Sequence, residues 1–194
     1  MLFQLATLKT RLGLDEYDVK FDALLTNAAA AITARFDREC NRTLARAENA
    51  LHEFPAVDLE IRVAGYPIES VSKFELKEDE VSGWTEQNEV SYLIRNRCVI
   101  SLRSALDGGA EIGWLARVTY TGGYVLPGAS VGAGQTALPA DLEQAALEQA
   151  AYWFQNREKL GLLRIWPHQG TYQQLAMLDL LPAVTSVLKS YQRW

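Results

Sequence analysis

The hydrophobic pattern of this sequence changes its period twice along the chain. Over residues 21–41, apolar side chains recur at helical spacing on one face, namely Phe21, Leu24, Leu25, Ala28, Ile32, Phe36 and Cys40. From Val57 to Val63, apolar residues alternate with charged ones, which is the pattern of a half-buried strand. Helical spacing returns over 139–159. These changes predict an α+β fold in which a helical frame carries an inserted antiparallel β-sheet lobe.

Two shorter helices complete the predicted frame. Leucines every three or four residues precede Gly13, a residue suited to a left-handed cap, and predict a first helix over about 5–12. Pro182 is suited to the first turn of a last helix. We therefore expect an N-terminal helix pair and C-terminal helices to meet from opposite ends of the sequence, with the small-residue face of 139–159 packed on 21–41.

The predicted β-rich lobe covers residues 57–121. After the strand that begins at Val57, further strands are expected at 71–76, 90–94, 98–102 and 114–121. Acidic residues among them are expected to be solvated at hairpin tips: Glu75, Glu78, Asp79, Glu80, Glu86 and Glu89. Trp84 lies in this stretch, and an exposed tryptophan is a favoured anchor at protein interfaces.

Residues 122–136 are the segment with the weakest hydrophobic pattern. They contain five glycines and Pro127, which predicts a long mobile loop. Because glycine tolerates large changes in backbone angles, Gly122 and Gly123 are expected to serve as hinges.

The composition excludes several classes of protein. The chain has 194 residues, with 19 Lys plus Arg against 24 Asp plus Glu and a net charge of −5. This acidity argues against general binding of duplex DNA, which needs a field of basic side chains. With 48% hydrophobic and 22% charged residues, the chain can bury a core and is predicted to form a single domain over 1–194. No apolar run is long enough to predict a membrane span.

The residues that could carry chemistry do not form a catalytic set. Residues 129–136 are one residue short of a Walker A loop, because Gln135 replaces the lysine that would contact nucleotide phosphates. The histidines, His52 and His168, are in no metal-binding spacing, and the two cysteines match no zinc or redox motif. We therefore expect no catalytic residue, cofactor, metal or small-molecule substrate. A degenerate nucleotide-binding loop is the alternative.

Six short motifs follow one another along nearly the whole chain. They occupy residues 5–13, 22–44, 66–71, 118–124, 138–157 and 181–193. Residues 66–71 (Tyr-Pro-Ile-Glu-Ser-Val) begin a strand and residues 138–142 (Leu-Pro-Ala-Asp-Leu) begin a helix. In this order the motifs resemble those of the head-to-tail connector (adaptor) proteins of tailed bacteriophages and related gene-transfer particles.

This resemblance implies a structural virion protein without enzymatic activity, made in the cytoplasm of the bacterial host. Members of the family form a ring, commonly of twelve copies, that docks under the portal protein at the capsid vertex. The ring gives the tail or stopper protein a platform, and double-stranded DNA passes through its channel during packaging and ejection. Another head-completion or tail-terminator component is the alternative within the virion.

Two sets of residues are candidates for contacts with partners. The C-terminal segment, 162–194, is predicted to contact the portal or a neighbouring subunit through Trp166, Leu181, Val184, Val187, Leu188, Tyr191 and Trp194. Two loops are predicted to face the lumen or the tail side through Glu78, Asp79, Glu80, Trp84, Gly122, Gly123 and Tyr124. Packing of the C-terminal apolar residues inside the subunit is the alternative.

The helices at 21–41 and 139–159 are predicted to make both the subunit core and contacts with neighbouring subunits. Four charged residues lie off the apolar stripe and are expected to be solvated or to face the next subunit, namely Arg35, Arg38, Glu39 and Arg42.

Overall fold

A computed structural model describes residues 1–106, 113–158, 160, 164–165, 173–174 and 179–193. The chain divides into two compact units. Unit 1 comprises Met1–Asn41, Leu126–Gly128 and Leu138–Trp194, and unit 2 comprises Arg42–Val125 and Ala129–Ala137. Unit 1 holds the helices and unit 2 holds two antiparallel sheets, so the predicted α+β class is confirmed.

The elements have the following bounds in chain order: α1 (Leu5–Leu12), α2 (Asp22–Cys40), β1 (Ala47–Pro55), β2 (Glu60–Arg62), β3 (Ile68–Lys77), β4 (Thr85–Gln87), β5 (Tyr92–Arg95), β6 (Val99–Leu102), β7 (Leu115–Gly122), α3 (Ala140–Gln155), β8 (Arg164–Ile165), β9 (Gln173–Gln174) and α4 (Pro182–Lys189). The helices lie close to their predicted bounds, and α1 ends at Gly13 in the left-handed conformation, with φ of 67°.

The core of unit 1 lies among three helices. α3 packs on α2, and α4 packs on both. Ala29 of α2 and Ala146 and Ala150 of α3 are fully buried, and such small side chains allow helices to approach closely. The predicted packing of the two long helices is therefore confirmed.

A buried lysine holds the connector between α1 and α2. The Lys9 ammonium donates to the backbone oxygens of Glu16 and Asp18, both at 2.9 Å, and lies 2.6 Å from Oδ1 of Asp22. Because a buried ammonium is costly unless it is paired, these contacts keep the connector folded back on α1.

Unit 2 is built from a four-stranded and a three-stranded antiparallel sheet. Their strand orders are β1-β7-β3-β4 and β2-β6-β5. Both sheets contribute to one apolar cluster, which includes Phe54, Phe74, Val118, Tyr120, Ile61, Ile100 and Leu102. The alternation along β7 buries Ala116, Val118 and Tyr120 on this side, as the sequence pattern predicts.

The β-unit begins earlier than the predicted boundary at Val57. β1 spans Ala47–Pro55 and pairs with β7 along its length, with an irregular register between Ala47 and Ala50. The hydrophobic pattern does not reveal this strand, because its inward positions include the small Ala50 and the polar His52. Val57 and Leu59, predicted to be inward, are exposed in the connection to the short strand β2.

The prediction of one mobile loop over 122–136 is wrong at its start. Gly122 is the last residue of β7, and Gly123, Tyr124 and Val125 are buried. The backbone N–H of Tyr124 donates to Leu44 O, and that of Val125 donates to Thr136 O, each at 2.8 Å. These ladder-like bonds extend the strand, because buried backbone groups need partners.

Candidate assembly surfaces

The described residues hold no group of three or more His, Cys, Asp or Glu side chains that could bind a metal ion. None of the helices in these residues is long and apolar enough to cross a bilayer. Cys40 is buried in α2, Cys98 is half-buried, and both are free thiols. His52 lies on β1, and His168 is outside the described residues.

The Walker-like segment does not have the geometry of a phosphate-binding loop. In such a loop the helix starts directly at the Gly-Lys-Ser/Thr positions, so that helix N–H groups point at the phosphate. Here Ala137, next to Thr136, makes a β-bridge with Val125, and α3 starts only at Ala140. Gln135 Oε1 accepts the Gly132 N–H at 2.8 Å, so the residue that replaces lysine binds the loop's own backbone.

The C-terminal helix α4 is part of the unit 1 core. Val184 and Leu188, predicted to contact the portal or a neighbour, are each 1% exposed, because the same apolar stripe packs on α2 and α3. They are therefore not surface residues. Val187 and Leu181 are half-buried, while Trp166 and Trp194 lie outside the described residues.

Hydrogen bonds tie both ends of α4 to the longer helices. The Leu181 N–H donates to Gln149 Oε1 at 2.8 Å, and the Tyr191 hydroxyl donates to Asp141 Oδ1 at 2.7 Å. The Arg193 N–H donates to Cys40 O at 2.9 Å. Tyr191 is thus bonded inside unit 1, and the exposed residues of α4 are Pro182, Ala183, Ser186 and Lys189.

The turn between β3 and β4 is an exposed acidic tip, which we define as Glu78, Asp79, Glu80 and Val81. All four are exposed, and Val81 is 96% exposed. Oδ1 of Asp79 accepts the N–H groups of Ser82 at 2.7 Å and Val81 at 2.8 Å, and these hydrogen bonds hold the pKa of Asp79 below its ordinary value. The turn is therefore ordered by its own side chain.

Trp84 lies at the base of this tip and covers a charge network. Its ring centroid is 4.3 Å from the Arg117 guanidinium carbon, and Arg117 donates to Glu75 Oε2 at 2.8 Å. Lys73 Nζ lies 3.0 Å from Glu75 Oε1. Glu75 is buried, which corrects the expectation that the whole acidic stretch is solvated, and Trp84 is half-buried. Its ring shields an ion pair in unit 2.

Gly122 and Gly123 allow a close approach of backbones and are not placed as hinges. A Cβ on Gly122 would lie 2.6 Å from Gly65 O, and one on Gly123 would lie 2.6 Å from Ala45 O. Gly123 also has a φ of 106°, which favours glycine. The structure thus requires glycine at both positions to bring neighbouring chain segments into contact.

Next to these glycines, two tyrosines enclose a buried arginine that sequence reasoning assigned to solvent or a neighbouring subunit. Arg42 is 5% exposed, and its guanidinium carbon lies 3.3 Å from the ring centroid of Tyr66 and 5.1 Å from that of Tyr124. Its Nη2 also donates to Tyr66 O. Tyr124, predicted to face the lumen or the tail side, is therefore a core residue of unit 2. The only sequence signal is that all three lie within the ordered motifs.

α2 keeps a second face open. A shallow groove of about 360 Å³ is lined by Ala31, Ala34, Arg35, Arg38 and Trp153. The indole Nε1 of Trp153 is buried and has no hydrogen-bond partner in the described part of the chain. Arg35 pairs with Glu39 at 2.8 Å within the helix. This face of α2 is thus partly open to solvent, with Ala31, Ala34 and Arg38 exposed.

Comparison with solved structures identifies three chains of similar fold. The fold is shared with chains of gene transfer agent (GTA) particles. A chain from the neck of an empty GTA particle, computed with C6 symmetry, matches with 16% identity and a TM-score of 0.57 over 97% of this chain and 88% of that chain. A chain from the virion of a native GTA particle matches with 17% identity and a TM-score of 0.56 over the same shares, 97% and 88%.

A third match has the same extent. It is a chain from the neck of a native GTA particle computed with C12 symmetry, with 16% identity, a TM-score of 0.50, and coverage of 97% of this chain and 90% of that chain. No protein-family model matches the sequence, and no curated protein matches it. At these identities the likeness concerns the fold, and it includes both units.

Proposed function

We propose that this chain is a structural virion protein that forms a ring adaptor between the portal and the tail or stopper protein. The observation that carries this proposal is the fold shared with GTA neck chains over 97% of this chain and 88% of the neck chain. A match of both units favours a whole-protein role over a single borrowed domain. The order of the six sequence motifs points independently to the same class.

The electrostatics support a channel through which DNA moves. The net charge of −5 gives the subunit no general attraction for a duplex. A strongly basic wall would hold DNA through phosphate contacts and counterion release, whereas a net-negative wall lets it slide. This adaptor acts by assembly and docking and performs no covalent chemistry.

The buried charged residues support a structural role. Lys9 binds backbone oxygens, Arg42 stacks on tyrosine rings, and Glu75 is paired with basic residues. Each is paired within its own unit, and Arg42 and Glu75 join segments that are distant in sequence. Such groups stabilise a scaffold and do not present a reactive atom to a substrate.

In this proposal the portal contact lies on the exposed side of α4. Val184 and Leu188 hold the helix on unit 1, and Ser186 and Lys189 face outward. The open face of α2, with Arg38, contributes to contacts between subunits. The exposed loop 129–134 of unit 2 faces the lumen or the tail side.

Electron microscopy of negatively stained protein, together with native mass spectrometry, tests the proposal. The chain is examined alone and mixed with the portal protein of the same particle. A ring, or a portal carrying an added collar, supports the adaptor role. A chain that neither forms a ring nor binds the portal contradicts it.

A pair of charge variants locates the portal contact. Ser186→Glu combined with Lys189→Glu should weaken portal binding about tenfold, since rim charges act on association through complementarity. Ser130→Glu combined with Arg103→Glu, both exposed in unit 2, makes the same charge change; it is the matched control and should bind as the unchanged chain does. Equal binding by both variants would place the portal contact elsewhere.

A further inference from the structure

Unit 2 carries opposite charges at its two ends. One end is the acidic tip already defined. The other is an arginine turn, which we define as Arg62, Arg95 and Arg97, all exposed. Arg62 of β2 and Arg95 of β5 lie on either side of Val99 in β6, directly opposite it in the ladder, so the two arginines share one face of the three-stranded sheet.

Strand β3 sets the distance between these ends. Its first residue, Ile68, donates its N–H to Arg97 O at 2.6 Å, and its last residue, Lys77, directly precedes the acidic tip. A ten-residue strand is about 30 Å long at roughly 3.3 Å per residue. The two charged patches therefore lie at opposite ends of one strand and are too far apart to neutralise each other within a subunit.

Each patch keeps charge that the ion pairs of the described residues do not balance, in the acidic tip through two carboxylates and in the arginine turn through Arg97. In the acidic tip, Glu80 pairs with Lys77 at 2.6 Å, which leaves two carboxylates in excess. In the arginine turn, Arg95 pairs with Glu60. Arg97 donates to the neutral oxygen of Gly134 at 2.7 Å, which satisfies a hydrogen bond but leaves the charge in place.

Each patch also has an apolar centre. Val81, 96% exposed, projects from the acidic tip. On the face of the arginine turn, Val99 lies between Arg62 and Arg95, and Leu93, 53% exposed, lies beside it on the same face. An apolar centre with a charged rim is the usual anatomy of a protein interface, and here the two rims have opposite sign.

We propose that the acidic tip of one copy docks on the arginine turn of the next copy. Two different patches at opposite ends of one unit make a head-to-tail contact, and head-to-tail contacts close into a ring when the rotation permits. The occupant of each patch is therefore a second copy of this chain. The inference rests on the proposed ring and names the contact that closes it.

Charge reversal at each end tests this docking. The acid-reversed variant is Glu78→Lys with Glu80→Lys, and it keeps Asp79 because that residue orders the turn. The arginine-reversed variant is Arg62→Glu with Arg95→Glu, and it keeps Arg97 because its backbone and side chain hold β3 and Gly134. Ring formation is measured by native mass and negative stain, alone and with the portal protein, in about 50 mM and about 500 mM salt.

In low salt, the fraction of the protein found in rings should fall about tenfold or more for each reversed variant, because every junction then joins like charges. A one-to-one mixture of the two variants should restore it, because every junction then again joins opposite charges. A misfolded variant would not recover on mixing, so the mixture separates lost docking from lost folding. Glu16→Lys with Glu158→Lys makes the same charge change as the acid-reversed variant, but on exposed positions of unit 1, and should leave the ring intact.

The other outcomes overturn the docking and separate it from the adaptor role. A ring that forms with either reversed variant contradicts the docking and leaves the adaptor role standing. If the ring is lost in both reversed variants and does not return when they are mixed, the docking is contradicted as well. Binding of duplex DNA that is lost in the arginine-reversed variant while its ring persists would make the arginine turn a phosphate contact instead. No ring under any condition, with or without the portal, contradicts both proposals.

Discussion

Arg117 on β7 donates from Nε to Oε2 of Glu75 on β3 at 2.8 Å, and the two residues face each other directly in the ladder. Forty-two positions separate them in the sequence. The pair joins the two central strands of the larger sheet, with Trp84 over the guanidinium. A cross-strand ion pair that is buried and hydrogen-bonded contributes more to the free energy of unfolding than an ion pair at the surface.

Glu75→Gln should lower the free energy of unfolding at pH 7 by about 1–3 kcal/mol. Burial by itself would raise the pKa of Glu75, but hydrogen bonds from Lys73 and Arg117 outweigh it and hold the pKa below its ordinary value of 4.5. A carboxylate with a depressed pKa contributes stability above its unfolded pKa and loses it as the pH falls through the folded pKa. The difference between the unchanged chain and the variant should therefore shrink below about pH 4.5.

Urea unfolding between pH 7 and pH 3 measures this difference. Glu86→Gln is the control, since Glu86 is an exposed partner of Lys73 and its removal should change stability little. A constant difference across the pH range would show that Glu75 does not act through its charge.

Gly123→Ala should destabilise the protein by about 2–3 kcal/mol. The new methyl group would lie 2.6 Å from Ala45 O at a φ of 106°, so both contact and backbone conformation oppose it. Gly132→Ala is the control, because the nearest atoms there belong to the flexible side chain of Gln135. Thermal unfolding distinguishes the two, and equal melting temperatures would favour the hinge interpretation instead.

Arg42→Met should lower the free energy of unfolding by about 1–3 kcal/mol, because it removes a stacked, hydrogen-bonded guanidinium from between Tyr66 and Tyr124. Arg42→Lys should not restore the loss, since an ammonium lacks the flat face that stacks on both rings. Arg38→Lys, on the exposed side of α2, is the matched control and should be neutral. Full recovery by lysine in chemical denaturation would indicate that only the charge matters.

Leu188→Ala should lower the free energy of unfolding by about 2–4 kcal/mol. The leucine side chain is buried against the longer helices, so its truncation leaves a cavity. Ser186→Ala, two positions earlier on the exposed side of α4, should change stability by less than about 0.5 kcal/mol. Both are measured by denaturant unfolding. If Leu188→Ala unfolded like the unchanged chain but failed to bind the portal, Leu188 would be an interface residue rather than a core residue.

Some elements could be predicted from the sequence because their pattern is local. The apolar stripe of α2 and the alternation in β7 each reveal a buried face within a few residues. β1 escaped prediction because Ala50 and His52 occupy inward positions without a hydrophobic signal. Its place is set by pairing with β7, which lies far along the chain.

The candidate contact residues show the same division. Periodicity indicates that Val184 and Leu188 share a buried face, but it does not say whether that face meets the same chain or another one. In the structure this face packs on α2 and α3 of the same chain. The bipolar charge of unit 2 is likewise invisible in the sequence, because it depends on Arg97 reaching the start of β3.

By itself, the sequence determined the helices, most of the strands, the α+β class and the absence of a recognised catalytic motif, because propensity and periodicity act over a few neighbouring residues. Tertiary structure alone decided which charged residues are buried, as with Arg42 and Glu75, and which apolar ones are left exposed, as with Val81. The physical reason is that burial depends on partners brought together from distant segments, such as Tyr124 for Arg42 and Arg117 for Glu75.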